Sequence, residues 1–336
     1  MPENFDFRRW QSIGAFFIVS ILLGSIPAIT KWTILYISPK AILGLRYIIA
    51  LALFMPWISK FILSLNSIQN QLTLGTIESI DLSNTLQNNV GIRKIGSIKN
   101  NVLFRDGLIL GILTFGINLG LTIGVQTISA NRTSFLFGLC AIFVSVLEFI
   151  YRKRFILRIF AAAILAFGGS SLMFWEQSYE PLIGSLWVLG AIVCEATILF
   201  LLEDIAPRHD PVTLSILRLG TATTLAMFIA VPELANQLVV IVENWIPLLY
   251  LGVVTAAITW LVIFALKSLP ATEAALIQTS EPIFGAIISF LVLGESFGWR
   301  GIVGAGLILI GTTLAILNSS NELAEKKQLI SKCEEV

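Results

Sequence analysis

Charge is scarce in this chain. Only 13% of its 336 residues are Asp, Glu, Lys or Arg, against about 25% in soluble domains. There is one histidine, His209, with no His or Cys partner at metal-ligand spacing, and no HExxH occurs. The familiar zinc-enzyme patterns are therefore excluded. No GxxxxGK[ST] loop is present, so direct ATP coupling is not indicated. Three cysteines (Cys140, Cys194, Cys333) are too few and too scattered for a disulfide framework. The first two lie in apolar runs and act as small hydrophobes. No metal site and no cofactor is expected. A net charge of +1 argues against general affinity for nucleic acid. What is abundant is apolar surface: 56% of residues are hydrophobic and mean hydropathy is +0.86. The chain reads as a membrane protein before any motif is considered.

A helix needs about 20 apolar residues to cross a bilayer. Ten segments qualify: 12–35, 40–59, 107–127, 132–150, 156–175, 182–202, 211–231, 244–266, 271–293 and 300–317. The first is long enough to be a retained span rather than a cleaved signal peptide. Ser38-Pro39 and Asp210-Pro211 are cap-then-proline helix starts, and Pro270 opens the ninth. Trp10, Trp57, Trp175, Trp245 and Trp299 fall at span ends, where indole prefers the interface. Sixteen Lys/Arg would lie on the side holding the N-terminus and only three on the other, with Lys31, Arg46 and Arg218 inside spans. The positive-inside rule then places both termini in the cytoplasm of a cell bounded by this cytoplasmic (inner) membrane. Residues 61–105 are a polar insertion on the cytoplasmic side, and 318–336 are a cytoplasmic tail.

The two halves of the sequence resemble each other. "ISPKAILGLRYIIALALFMP" (37–56) aligns with "HDPVTLSILRLGTATTLAMFIA" (209–230), which superposes Pro39 on Pro211 and Arg46 on Arg218. "TISANRTSFLF" (127–137) matches "SLPATEAALIQ" (268–278). Five spans per half force the second copy to enter the membrane from the opposite side. The expected fold is thus an all-α membrane protein of ten transmembrane helices in two inverted five-helix repeats, 12–175 and 182–317. Inverted repeats are a signature of secondary transporters, with the substrate held between the halves.

These residues carry a family resemblance. "WTILYISPKAILGLRYIIALALFMP" resembles the first two helices of the EamA family, within the drug/metabolite transporter superfamily. "LPATEAALIQTSEPIFGAIISFLVLGESFGWRGIVGAGLILIGTTLAI" resembles its closing helix pair, with a mid-span proline, a Leu293-Gly294-Glu295 turn and a glycine-spaced last helix. The first half departs from it: Ala141 stands where Pro282 has its counterpart, and Arg154 opposite Glu295. The resemblance implies export rather than uptake, and a ninth helix that borders the central cavity.

"LIQTSEPIFGAII" (276–288) sets an ionisable carboxylate beside a helix-breaker in an apolar run. Pro282 has no amide hydrogen and frees carbonyls near Gln278 in the mid-membrane. Positions 278, 281, 282, 285 and 289 form one polar, small-residue face that must look into the bundle. Glu281, with Gln278, is either a proton- or substrate-binding carboxylate or the lock of a buried kink. Glu195 lies near the centre of the sixth span, where a charge costs about 2.5–3.5 kcal/mol on insertion scales. Arg46 and Arg218 attract an anionic substrate group or pair structurally. Lys31 follows a second kink candidate, Pro27, and is near enough to the outer end to snorkel. Asn118 and Trp260 complete the set as packing residues or ligands. Gly116, Gly120 and Gly124 are scaffold, with a homodimer face as the second reading.

The leading expectation is a secondary active transporter that moves a small metabolite, amino acid or drug-like solute by alternating access, with a proton as candidate coupling ion. The expected partners are that solute, the lipid bilayer and protons, and no nucleic acid. A non-transporting receptor or scaffold is the alternative. An intramembrane lipid-modifying enzyme, built on Glu203, Asp204 and His209, is a third.

Overall fold

The computed structural model describes residues 3–57, 84–153, 157–173, 182–234, 236–294 and, in the last span, 299–300, 302–304, 306–307 and 310. Every regular element among them is a helix. In chain order these are α1 (Glu3–Ile34), α2 (Pro39–Ala52), α3 (Asn84–Thr127), α4 (Ala130–Phe137), α5 (Cys140–Arg152) and α6 (Leu157–Met173). There follow α7 (Leu182–Ile205), α8 (Pro211–Leu234), α9 (Leu238–Glu243), α10 (Trp245–Ala265), α11 (Ala271–Gln278) and α12 (Glu281–Leu293). A 3-10 turn, Ala206–Arg208, joins α7 to α8.

Among the described residues, seven segments are long and apolar enough to cross a membrane: Arg8–Ile34, Val102–Thr127, Ala130–Arg152, Leu182–Arg208, Pro211–Leu234, Trp245–Ala265 and Ala271–Leu293. The sequence reading of ten differs at three places. The second span is helical over the 14 residues of α2 and the fifth over the 17 of α6. Most of the tenth lies outside the described residues, as do 61–83, the tail 318–336, Trp175, Arg154, Glu295 and Cys333. The part of the polar insertion from Asn84 onward is helical and continuous with the third span. No proline interrupts 84–127, so nothing in the covalent chain ends the helix at the point where hydropathy rises.

Helix starts follow local chemistry. The Ser38 hydroxyl accepts from the Ala41 amide and Pro39 opens α2; the Ser129 hydroxyl caps α4 through the Arg132 amide. Packing then follows small residues. On α3 a Cβ at Gly120 would stand 2.6 Å from the Trp187 carbonyl, and one at Gly124 2.5 Å from Val188. A Cβ at Gly116 would meet Cys194 at 3.2 Å. The whole glycine ladder is thus used within the chain, to bring α3 against α7. Gly24 of α1 meets the backbone of α12 at Gly285 in the same way. The main helix pairs are α3 with α7 and α8, α1 with α10 and α12, and α2 with α8 and α10.

The two ends of the bundle are fastened differently. At the end rich in Lys and Arg, Arg9 of α1 pairs with Glu273 of α11 at 3.0 Å, and both are buried. Arg152 of α5 holds Glu148, Glu203 and Asp204 at 2.8–2.9 Å. Glu203 also accepts the first amide of α11, from Ala271, at 3.0 Å. His209 pairs with buried Asp106 at 3.1 Å. The acidic pair and histidine of the enzyme reading are therefore engaged in holding helices together. At the opposite end an exposed Lys40–Glu233 pair (2.8 Å) joins α2 to α8.

Candidate functional site

Two spans break halfway, at matching places. α11 stops at Gln278 and α12 starts at Glu281; α4 stops at Phe137 and α5 starts at Cys140. Thr279, Ser280 and Ile283 donate to the Leu276, Ile277 and Ser280 carbonyls. Gly138, Leu139 and Ile142 donate to the Phe135, Leu136 and Leu139 carbonyls, the same tightened pattern 141 residues earlier. Pro282 withholds an amide from Gln278 in the second break, but Ala141 fills its place in the first. Proline is therefore not the common cause. In the second break, hydroxyls satisfy the loosened carbonyls: Ser280 donates to Ile277 at 2.7 Å, and Ser20 of α1 reaches the same oxygen at 3.2 Å.

Between these breaks lies a cavity of about 580 Å³ of space free of protein atoms, open solvent included. It is lined by Leu23, Ile26, Arg46, Thr114, Ile117, Asn118, Leu121, Phe137, Glu195, Arg218, Thr255, Ile258, Thr259, Val262 and Glu281. Five sequence candidates meet here: Arg46, Arg218, Asn118, Glu195 and Glu281. Gln278 stands behind them. Its Nε2 lies 3.5 Å from Glu281 Oε2, it is near enough to Glu195 to bear on that carboxylate, and its own Oε1 is buried without a partner. The two carboxylates are near enough to feel each other's charge, and Glu195 also faces the Arg218 guanidinium.

Each arginine is held in the same way. Arg218 Nε donates to Thr114 Oγ1 at 2.6 Å, and Arg46 Nε donates to Thr255 Oγ1. Both threonine hydroxyls spend their proton one turn back on their own helix, on Leu110 at 2.7 Å and Leu251 at 2.6 Å. Only lone pairs remain for the guanidinium, which can only donate. Below each threonine a glycine lets the backbones touch. A Cβ at Gly111 would lie 2.7 Å from the Arg218 carbonyl and 2.4 Å from Thr221; one at Gly252 would lie 3.3 Å from the Arg46 carbonyl and 2.4 Å from Ile49. Asn118 adds a bond to the Tyr47 hydroxyl at 2.7 Å, and Tyr47 in turn donates to the Thr114 carbonyl at 2.8 Å.

Three candidates lie elsewhere. Lys31 Nζ reaches the Ile128 carbonyl at 2.8 Å, where it closes off the turn between α3 and α4. Trp260 is 36% exposed and stacks on Phe264 with ring centroids 5.4 Å apart, turned about 100° around α10 from its neighbour Thr259. Pro27 sits inside an α1 that runs unbroken from Glu3 to Ile34. It offers no amide to the carbonyl of Leu23, a residue of the cavity wall.

Thr114, Thr255, Thr259 and Tyr47 escaped the sequence reading. A signal existed: "GILTFGIN" (111–118) and "GVVTAAIT" (252–259) share Gly, Thr and Ile at the 141-residue offset that relates the fourth and ninth spans. Twelve of the fifteen wall residues fall into six pairs at offsets of 141 or 172, the latter relating Arg46 to Arg218.

The fold and cavity define a multi-pass helical membrane protein. Residues 182–317 match the model of the EamA-like transporter family, the family that the closing helices resemble. That family is one of transporters rather than enzymes. Comparison with curated proteins finds no match. Among solved structures, one described only as "Crystal structure of protein" aligns with a TM-score of 0.61 at 14% identity, covering 91% of this chain and 97% of its own. That likeness establishes the fold alone.

Proposed function

We propose that the protein is a secondary active transporter that exports a small solute across the cytoplasmic membrane by alternating access, with both termini in the cytoplasm. The observation that carries this reading is a cavity with buried Arg, Glu, Thr and Asn in its wall, twelve of whose fifteen residues pair at offsets of 141 or 172, as two inverted five-helix repeats would require. Contacts exchange in the manner a two-fold axis in the membrane plane requires: α3 on α7 answers α10 on α1, and α3 on α8 answers α10 on α2. The breaks at Gly138-Leu139 and Thr279-Ser280 support the same relation. Two equivalent halves can exchange inward- and outward-facing arrangements by rocking around a fixed site.

Glu281 and Glu195, with Gln278 beside them, are the proposed proton carriers. Buried ionisable groups inside a membrane bundle mark ion and substrate pathways, and both are nearly inaccessible to solvent. An uptake and efflux screen in reconstituted vesicles, with and without a pH gradient, tests the reading. Solute movement that follows the gradient and is lost in Glu281→Gln supports proton coupling. Equal gradient-driven transport by variant and unaltered protein removes Glu281 from that role. Movement of no solute, under any gradient, returns the receptor reading.

A further inference from the structure

Arg218 holds more hydrogen-bonding capacity than the protein uses. Its Nε is committed to Thr114, yet its Nη1 is buried without a partner while the residue lines the cavity and is only 5% exposed. A buried donor left without an acceptor is destabilising, and more so on a charged group. Such a vacancy is tolerable where a ligand fills it. The threonine clasp matters here, because it fixes the plane of the guanidinium and so aims the free edge. The same clasp recurs at Arg46 with Thr255, across the cavity. Asn118 and Thr259, one turn on from the two threonines, line the wall at matching positions.

We propose that Arg218, oriented by Thr114, is the seat for a carboxylate on the transported solute, and that Arg46 with Thr255 is its counterpart for the alternate arrangement of the cavity. This deepens the transporter reading and rests on it. A guanidinium suits the task because its planar fork matches two carboxylate oxygens and it stays charged throughout. The charged and titratable groups around the seat are Glu195, Glu281, Arg46 and Tyr47. The cavity wall carries two arginines and two carboxylates. When one proton resides on the Glu195–Glu281 pair, the cavity is left with one net positive charge, and a solute carboxylate neutralises it. Proton and carboxylate then favour each other's binding.

The test uses the full chain in vesicles loaded separately with propionate, benzoate, propylammonium, benzylammonium or uridine, with efflux followed against external concentration. The expected result is efflux of the carboxylates alone. Arg218→Lys and Thr114→Val should each raise the half-saturating carboxylate concentration at least about tenfold, the scale of one lost charge-assisted contact. Inserted protein is matched between samples. A purely structural clasp would instead lower the maximal rate and leave half-saturation in place, and that outcome overturns the proposal. Because Arg218→Lys could fail to insert, Thr114→Val, which keeps the charge, gives an independent reading. Efflux of the amines or uridine with no carboxylate transport overturns the carboxylate seat and leaves the transporter standing. If no member moves, the seat is overturned too. The transporter reading is then judged separately, by whether reagents reach the cavity from both sides.

Discussion

The first and second halves of the molecule share a scaffold and differ in chemistry. The shared part is the clasp of glycine, threonine and arginine, which occurs at Gly111, Thr114 and Arg218 and again at Gly252, Thr255 and Arg46. Each clasp takes its arginine from one half and its threonine from the other. The unshared part is acid. At the 172-residue offset Glu195 faces Leu23 as its counterpart, and at 141 residues Glu281 corresponds to Cys140. The paired elements line the cavity from both halves, while its two carboxylates, Glu195 and Glu281, both come from the second half. A symmetric frame with asymmetric chemistry is what the comparison teaches.

The sharpest way to break it is to disturb the unpaired positions. Glu281→Gln should reduce gradient-driven transport at least about tenfold, about 1.4 kcal/mol in the barrier, whereas Cys140→Ser should stay within about twofold. Similar losses in both variants would erase the distinction between the halves. The fastening of the two ends comes next. Arg9→Ala strands buried Glu273 and should cost about 3–5 kcal/mol of unfolding free energy in mixed micelles. Lys40→Ala, at an exposed pair, should cost less than about 1 kcal/mol.

The clasps themselves should respond alike. Thr114→Val and Thr255→Val each remove the acceptor of a buried guanidinium and should each destabilise by about 1.5–3 kcal/mol. A large cost in one and none in the other would contradict their equivalence. The smallest contrast concerns glycine. Gly111→Ala and Gly252→Ala meet neighbours at 2.4 Å and should each lose about 1–3 kcal/mol through overpacking. Gly190, with nothing within 4 Å, should accept alanine without loss and gain a few tenths of a kcal/mol from helix propensity. Thermal unfolding of the purified variants ranks all three.

Much of this architecture was legible in the sequence, and the reasons differ by feature. Hydropathy runs reveal spans because lipid demands them, and the costly residues inside those runs, Glu195, Glu281, Arg46 and Arg218, all reached one cavity. The break at Gly138-Leu139 was hidden because no proline marks it. The clasps were hidden because they join residues 104 and 209 positions apart, and a mid-span threonine looks like any small packing residue. Trp260 misled for a geometric reason: one position along a helix turns a side chain by about 100°, so it points away while Thr259 points in. Lys31 was drawn instead to a carbonyl at the end of α3, a contact hydropathy does not encode.

The central claim is that the cavity communicates with each side of the membrane in turn. The direct measurement is labelling of Ile258→Cys, a wall residue, in oriented vesicles, with the three native cysteines replaced by serine and a membrane-impermeant thiol reagent applied to one side at a time. The account predicts modification from either side, each favoured by an opposite pH gradient. Modification from one side only, or from neither, would contradict it.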